Sequence, residues 1–149
     1  MFSCVDMDYG GRRLSNKKEG NDFEAEFTEL AGSTGFWAHR MTANVDGQPA
    51  DVIICKNNIP ILVDCKDCKN NVFKLSRIEE NQELAMIKWL EKGNKYALFA
   101  LKIENDVWLI PFMILMNYKK AGIKQLNKTR ILEEGYSLEE FEETIMRGR

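Results

Sequence analysis

The sequence predicts an α/β protein with a sheet of about five strands flanked by helices. Two apolar, β-branched runs, residues 51–55 and 59–63, surround an Asn-rich turn at Lys56, Asn57 and Asn58, the pattern of a β-hairpin. Residues 77–92 carry apolar side chains at helical spacing (Ile78, Leu84, Ala85, Ile87, Trp89 and Leu90) and end at Gly93. Two further strand-like runs, 96–103 and 107–111, meet at the turn Glu104, Asn105, Asp106.

The remaining elements follow in order. Residues 1–20 are polar, with the basic pairs Arg12, Arg13 and Lys17, Lys18, and read as a mobile basic arm able to contact phosphate. Phe23, Phe27, Leu30 and Ala31 have helical spacing over residues 22–31, with Asn21 as N-cap and Gly32 or Gly35 as the stop. Residues 36–41 read as a short strand and residues 41–49 as a loop. Residues 67–76 read as a polar loop, and residues 112–118 as a helical turn covering the sheet. A last helix over residues 137–146 starts with Ser137 as N-cap and Glu140 at the capping-box position. No internal repeat appears.

With 149 residues, the chain is expected to form one domain. No apolar run approaches the roughly 18 residues of a membrane span. The first residues lack the basic and apolar regions of a signal peptide, so a cytoplasmic setting is expected. The net charge of −2 is misleading. Residues 133–144 hold six glutamates, and this acidic tail is read as a C-terminal helix with an exposed face. Residues 1–132 hold 19 Lys and Arg against 17 Asp and Glu, a net of +2. Lys119, Lys120, Lys124, Lys128 and Arg130 form a basic stretch that could hold DNA backbone, with solvated surface as the default reading.

The chemistry concentrates around the hairpin. Asp51 opens its first run, and Asp64 and Lys66 close its second. Strand alternation puts Asp64 and Lys66 on one face and Cys65 on the other. Two carboxylates and an ammonium suit phosphodiester hydrolysis with a divalent cation, because Mg2+ takes oxygen ligands and retains several waters. Mn2+ is the expected substitute. Glu24 on the first helix is the natural third acid, with Glu26 as its rival, and Gln82 can position a water or a phosphate oxygen. Caps, turns and surface ion pairs are the plain alternative for each of these residues.

Cys65 and Cys68 have the spacing of half a zinc site or a redox pair, but no second pair exists to complete a zinc site, so a structural role is favoured. His39 reads as a strand-edge polar residue or a DNA contact rather than a general base, since no partner acid is obvious in the sequence, and the neighbouring Arg40 reads as a phosphate contact. Trp37, Trp89 and Trp108 read as core or dimer interface.

Taken in order, residues 20–24 (Gly-Asn-Asp-Phe-Glu), Pro49-Ala50-Asp51, Asp64-Cys65-Lys66 and Asn81-Gln82 resemble the PD-(D/E)xK nuclease superfamily. Within it, the chain is similar to RecU-type and archaeal-type Holliday junction resolvases over residues 20–115. The resemblance implies a restriction-endonuclease-like core with a mixed central sheet. It implies Asp51, Asp64 and the Cys65 carbonyl as metal ligands, with Glu24, Asp51, Asp64, Lys66 and Gln82 as the catalytic set. It also implies a homodimer acting on four-way DNA junctions. Another nuclease of the superfamily, cutting flaps or nicking duplexes, is the alternative, as is a recombination accessory protein that only binds DNA. RecU-type proteins usually carry Glu-x-Lys where this chain has Asp64-Cys65-Lys66. They also insert a long stalk where only residues 41–50 stand here.

Overall fold

The computed structural model describes residues 16–42 and 48–148. A five-stranded mixed sheet forms its centre, as expected. The strands are β1 (Trp37–Arg40), β2 (Val52–Lys56), β3 (Ile59–Asp67), β5 (Tyr96–Ile103) and β6 (Asp106–Pro111), lying in the order β1-β2-β3-β5-β6. Only the β3–β5 pair is parallel, with Asp64 opposite Phe99. The β2–β3 hairpin closes through Asn57 and Asn58, with φ of 54° and 69°. A two-residue turn with both φ positive matches the twist of the strands, and Asn tolerates that conformation better than most residues.

Alternation along the strands builds two apolar layers. On one face Val52, Ile54, Ile61, Val63, Leu98 and Ala100 pack with Phe23 and Phe27 of α1 (Asn16–Thr34) and Phe141 and Ile145 of α5 (Leu138–Arg147). On the other, Leu62, Phe99, Leu101 and Ile110 pack with Met86 of α2 (Glu80–Glu91) and with Phe112 and Leu115 of α3 (Phe112–Lys120). The same layer includes Phe73 of β4 (Val72–Lys74), Leu126 of β7 (Gln125–Asn127) and Ile131 of α4 (Lys128–Glu134). Among the described residues, no helix is long and apolar enough to cross a membrane.

Several boundaries differ from the sequence reading. Helix α1 starts at Asn16, so Asn21 lies inside it and residues 16–20 are helical rather than part of an arm; residues 1–15 lie outside the described residues. It also runs past Gly32 to Thr34, where the Ser33 and Thr34 hydroxyls donate back to the carbonyls of Glu29 and Leu30. Helix α2 starts at Glu80, not Arg77. Gln82 Oε1 accepts from the Glu79 N–H at 3.1 Å and fixes that start, while Leu75–Arg77 form a separate 3-10 turn. The expected loop 67–76 contains β4, which pairs antiparallel with β7 to make a second, two-stranded ribbon. Of the acidic tail, Glu133 and Glu134 belong to α4, and the last helix spans Leu138–Arg147 with the Ser137–Glu140 capping box as expected. Trp37 is 61% exposed, which excludes the core half of its core-or-interface reading; it sits on the edge strand and, among the described residues, stacks on His39 at 5.8 Å.

Candidate active site

Asp51 sits at the mouth of β2 and is held by its own backbone. Its N–H donates to the Val63 carbonyl, and its carbonyl accepts from the Met41 N–H. Its carboxylate is equally fixed. Oδ2 accepts from the Cys65 backbone N–H at 2.8 Å, and Oδ1 accepts from Gln48 Nε2 at 2.9 Å.

Asp64 lies on the next strand and is 1% exposed. Its Oδ1 accepts from Gln82 Nε2 at 3.2 Å. Its Oδ2 is 3.3 Å from Lys66 Nζ, close enough for an ion pair, yet it accepts no hydrogen bond from any described group. Gln82 therefore holds the N-terminus of α2 with one end of its amide and Asp64 with the other.

Burial and the nearby Asp51 charge push the Asp64 carboxyl well above the usual range, against the pull of Lys66. Glu24, on α1, is raised from 4.5 to about 7, first by burial and then by the Asp51 charge; the Arg40 guanidinium, 3.3 Å away, opposes the rise. Glu24 and Asp64 thus form a set around Asp51, whose charge repels each of them. Glu26 does not join it, for it pairs with Lys102 at 2.8 Å.

The other sequence candidates are distributed differently. Arg40 is committed to Glu24, and its head remains partly exposed. Arg12 and Arg13 lie outside the described residues, while Lys17 and Lys18 fall in the first turn of α1. Cys65 faces the α1 layer and Cys68 the α2 layer, so the two thiols do not form a pair. Burial pushes the Cys65 thiol up and the Cys68 thiol to about 11, which disfavours the thiolates that zinc or redox chemistry needs. Gln48 escaped the sequence reading. A lone Gln next to a Gly has no spacing signal, and its contact with Asp51 exists only in the folded loop.

Among the described residues, no three His, Cys, Asp or Glu side chains converge as a preformed metal cage. The oxygen set nonetheless fits a hard divalent cation. Asp64 Oδ2 is a buried acceptor without a hydrogen bond, and the repulsion among the carboxylates is relieved by positive charge.

A carboxyl with a folded-state pKa above its unfolded value binds more protons folded than unfolded, so it costs stability as pH rises between the two. For Glu24 that window runs from 4.5 to about 7, and Asp64 acts in the same direction. The melting advantage of Glu24→Gln over the unsubstituted chain, both metal-free, should therefore grow across that window. Calorimetry at several pH values checks this; a difference independent of pH contradicts it.

Comparison with known proteins bears on the fold and the family. Among solved structures, Hjc of Archaeoglobus fulgidus, described as a Holliday junction resolvase from an archaeal hyperthermophile, superposes with a TM-score of 0.65. The match has 16% identity and covers 82% of this chain and 98% of that one, so it establishes the shared fold. A search of curated proteins finds no match. A family model, Recombination protein U, matches residues 47–147, a stretch that takes in Asp51, Asp64, Lys66 and Gln82 and four of the five strands of the central sheet. The family model covers most of the sequence: the chain belongs to the Recombination protein U family, RecU.

Proposed function

We propose that this chain is a divalent-metal-dependent, structure-selective DNA endonuclease, a Holliday junction resolvase acting in recombination as a cytoplasmic homodimer. The observation that carries the reading is Asp51 acting electrostatically on both Glu24 and Asp64, with Lys66 Nζ 3.3 Å from Asp64. Family membership supports the recombination setting, and the two apolar layers on one sheet support a single nuclease domain.

Asp51, Asp64 and the Cys65 carbonyl would hold Mg2+ or, in its place, Mn2+. When bound, the cation supplies positive charge to the phosphate oxygens and lowers the pKa of water. Gln48, the Cys65 amide and Gln82 keep the two carboxylates oriented, so little reorganisation is left for the reaction. Lys66 faces the charge that develops on the phosphate. Glu24, with its pKa near 7, is poised to take the proton of the attacking water, and Arg40 orients it. Two copies would cut the two opposing strands of a four-way junction.

The test is a substrate panel. Labelled four-way junction, flap and linear duplex are incubated with Mg2+, Mn2+ or EDTA, and the mass of the protein–junction complex is measured in parallel. Cleavage of the junction alone, lost in EDTA, by a complex holding two chains is expected. Cleavage that ignores EDTA sinks the metal mechanism, and equal cutting of linear duplex sinks junction selectivity.

A further inference from the structure

Beside the β4–β7 ribbon lies a cleft of about 370 Å³ that the catalytic reading leaves unused. Lys74, Leu75 and Ser76 line one wall; Lys119, at the end of α3, and residues 122–125 line the other. Three lysines and no acid among its lining residues make the cleft cationic at neutral pH.

Its construction follows from the sequence. Gly122 has φ of +86°, the left-handed conformation that ends α3. Its N–H donates to the Lys119 carbonyl, and the Ile123 N–H donates to that of Tyr118. The chain then turns back along β4, placing Gln125 opposite Lys74, while the Leu75 N–H donates to the Lys124 carbonyl at 3.0 Å. Phe73 and Leu126, the central residues of the two strands, are buried in the core. Period-two alternation then leaves Lys74 and Gln125 on the opposite, exposed side. The ribbon is thus pinned by one face, and Lys74 stands on the other.

The plain account is that lysines near a helix C-terminus complement its dipole. That covers Lys119, which also pairs with Glu83 at 2.9 Å. It does not cover Lys74 and Lys124, which stand outside any helix and make no ion pair among the described residues. Two contacts run from the lining residues toward the candidate site. Arg77, next in the chain to Ser76, donates from Nη1 to the Asp67 carbonyl at the end of the strand that carries Asp64, and Lys119 pairs with Glu83, which follows Gln82.

We propose that this cleft binds the phosphodiester backbone of a DNA arm leaving the Asp51–Asp64 site, with Lys74 and Lys124 as the phosphate contacts. No aromatic side chain lines it, so it reads charge and not base identity. The inference rests on the endonuclease reading and extends it by naming where the substrate arm lies.

The test measures junction affinity of the full chain across a salt series, with Ca2+ in place of Mg2+, together with Mg2+-dependent cleavage. Each phosphate contact removed lowers the slope of log affinity against log salt by about 0.9. Over a fourfold rise in salt, that is about 3.5-fold per contact. Lys74→Ala with Lys124→Ala should bind the junction more weakly and with a flatter slope. The Lys→Gln pair, which keeps the reach of the side chains, should behave the same, and the Lys→Arg pair should restore both. Lys88→Ala with Lys92→Ala, equal in charge but outside the cleft, should leave the slope unchanged. If the unsubstituted chain cuts junctions while the Ala and Gln pairs keep its affinity and slope, the cleft assignment falls alone. It falls likewise if the Lys88, Lys92 pair flattens the slope equally. If the unsubstituted chain neither binds nor cuts DNA, both readings fall.

Discussion

Asp64→Asn is expected to reduce cleavage by on the order of 10³-fold or more while raising the melting temperature of the metal-free protein. The two effects share one cause. Burial and the Asp51 charge outweigh the attraction of Lys66, for the net displacement of the Asp64 pKa is upward. The folded protein thus holds this negative charge at a cost that Lys66 offsets in part and a bound cation would offset further. Asparagine keeps an oxygen for Gln82 Nε2 and removes the charge, so the fold gains what the site loses. Metal should separate the two proteins further. At a hundredfold excess over its dissociation constant, an ion that binds only the folded state adds about 2.7 kcal/mol. The unsubstituted chain should show that upward shift in Mg2+, and Asp64→Asn should show little. Cleavage assays and calorimetry with and without Mg2+ decide the matter. A variant that cuts normally, or that melts lower than the unsubstituted chain without metal, contradicts the account.

Phe99→Ala should cost about 3–5 kcal/mol of folding stability, a large share of the roughly 5–15 kcal/mol of a typical domain. Phe99 is fully buried in the middle of β5. Its ring stacks with Phe112 at 6.5 Å and lies tilted against Phe73 at 6.0 Å, so one truncation opens a void between the sheet, α3 and the β4–β7 ribbon. Phe99 is also the parallel partner of Asp64 on the same face of the sheet, and the cavity would open beside the acid and its Gln82 clamp. Phe99→Leu retains most of the volume and should cost less than about 1.5 kcal/mol. Denaturant unfolding of both variants checks the ranking. A loss below about 1 kcal/mol for the alanine variant would mean the layer collapses to fill the space.

What the sequence revealed depended on the range of the signal. Strand β5 was legible because its eight residues are nearly all apolar, and α5 because Ser137 and Glu140 form a capping box. The β4–β7 ribbon was not: each strand offers three residues with a single buried position, too short to show a period, and its pairing spans some fifty residues of chain. The start of α2 was misplaced because Ile78 continues the apolar period, although it belongs to the core ahead of the helix. At the site, Asp51, Asp64 and Lys66 could be found together because one hairpin carries them. Glu24 could be separated from Glu26 only by the fold, which turns one toward Asp51 and the other toward Lys102. The clamp from Gln48 and the pairing of Arg40 with Glu24 are tertiary contacts with no trace in local pattern.

The bond from the Cys65 N–H to Asp51 Oδ2 gives position 65 an unusual freedom. The tie between the two acidic strands is made by a peptide group, which nineteen of the twenty amino acids supply alike. The side chain at 65 answers only to the apolar layer beneath α1. Valine or alanine could replace the cysteine there without disturbing the acid fourteen residues earlier, and proline alone would cut the link. Mutational drift at the centre of the site is in this way uncoupled from the chemistry beside it.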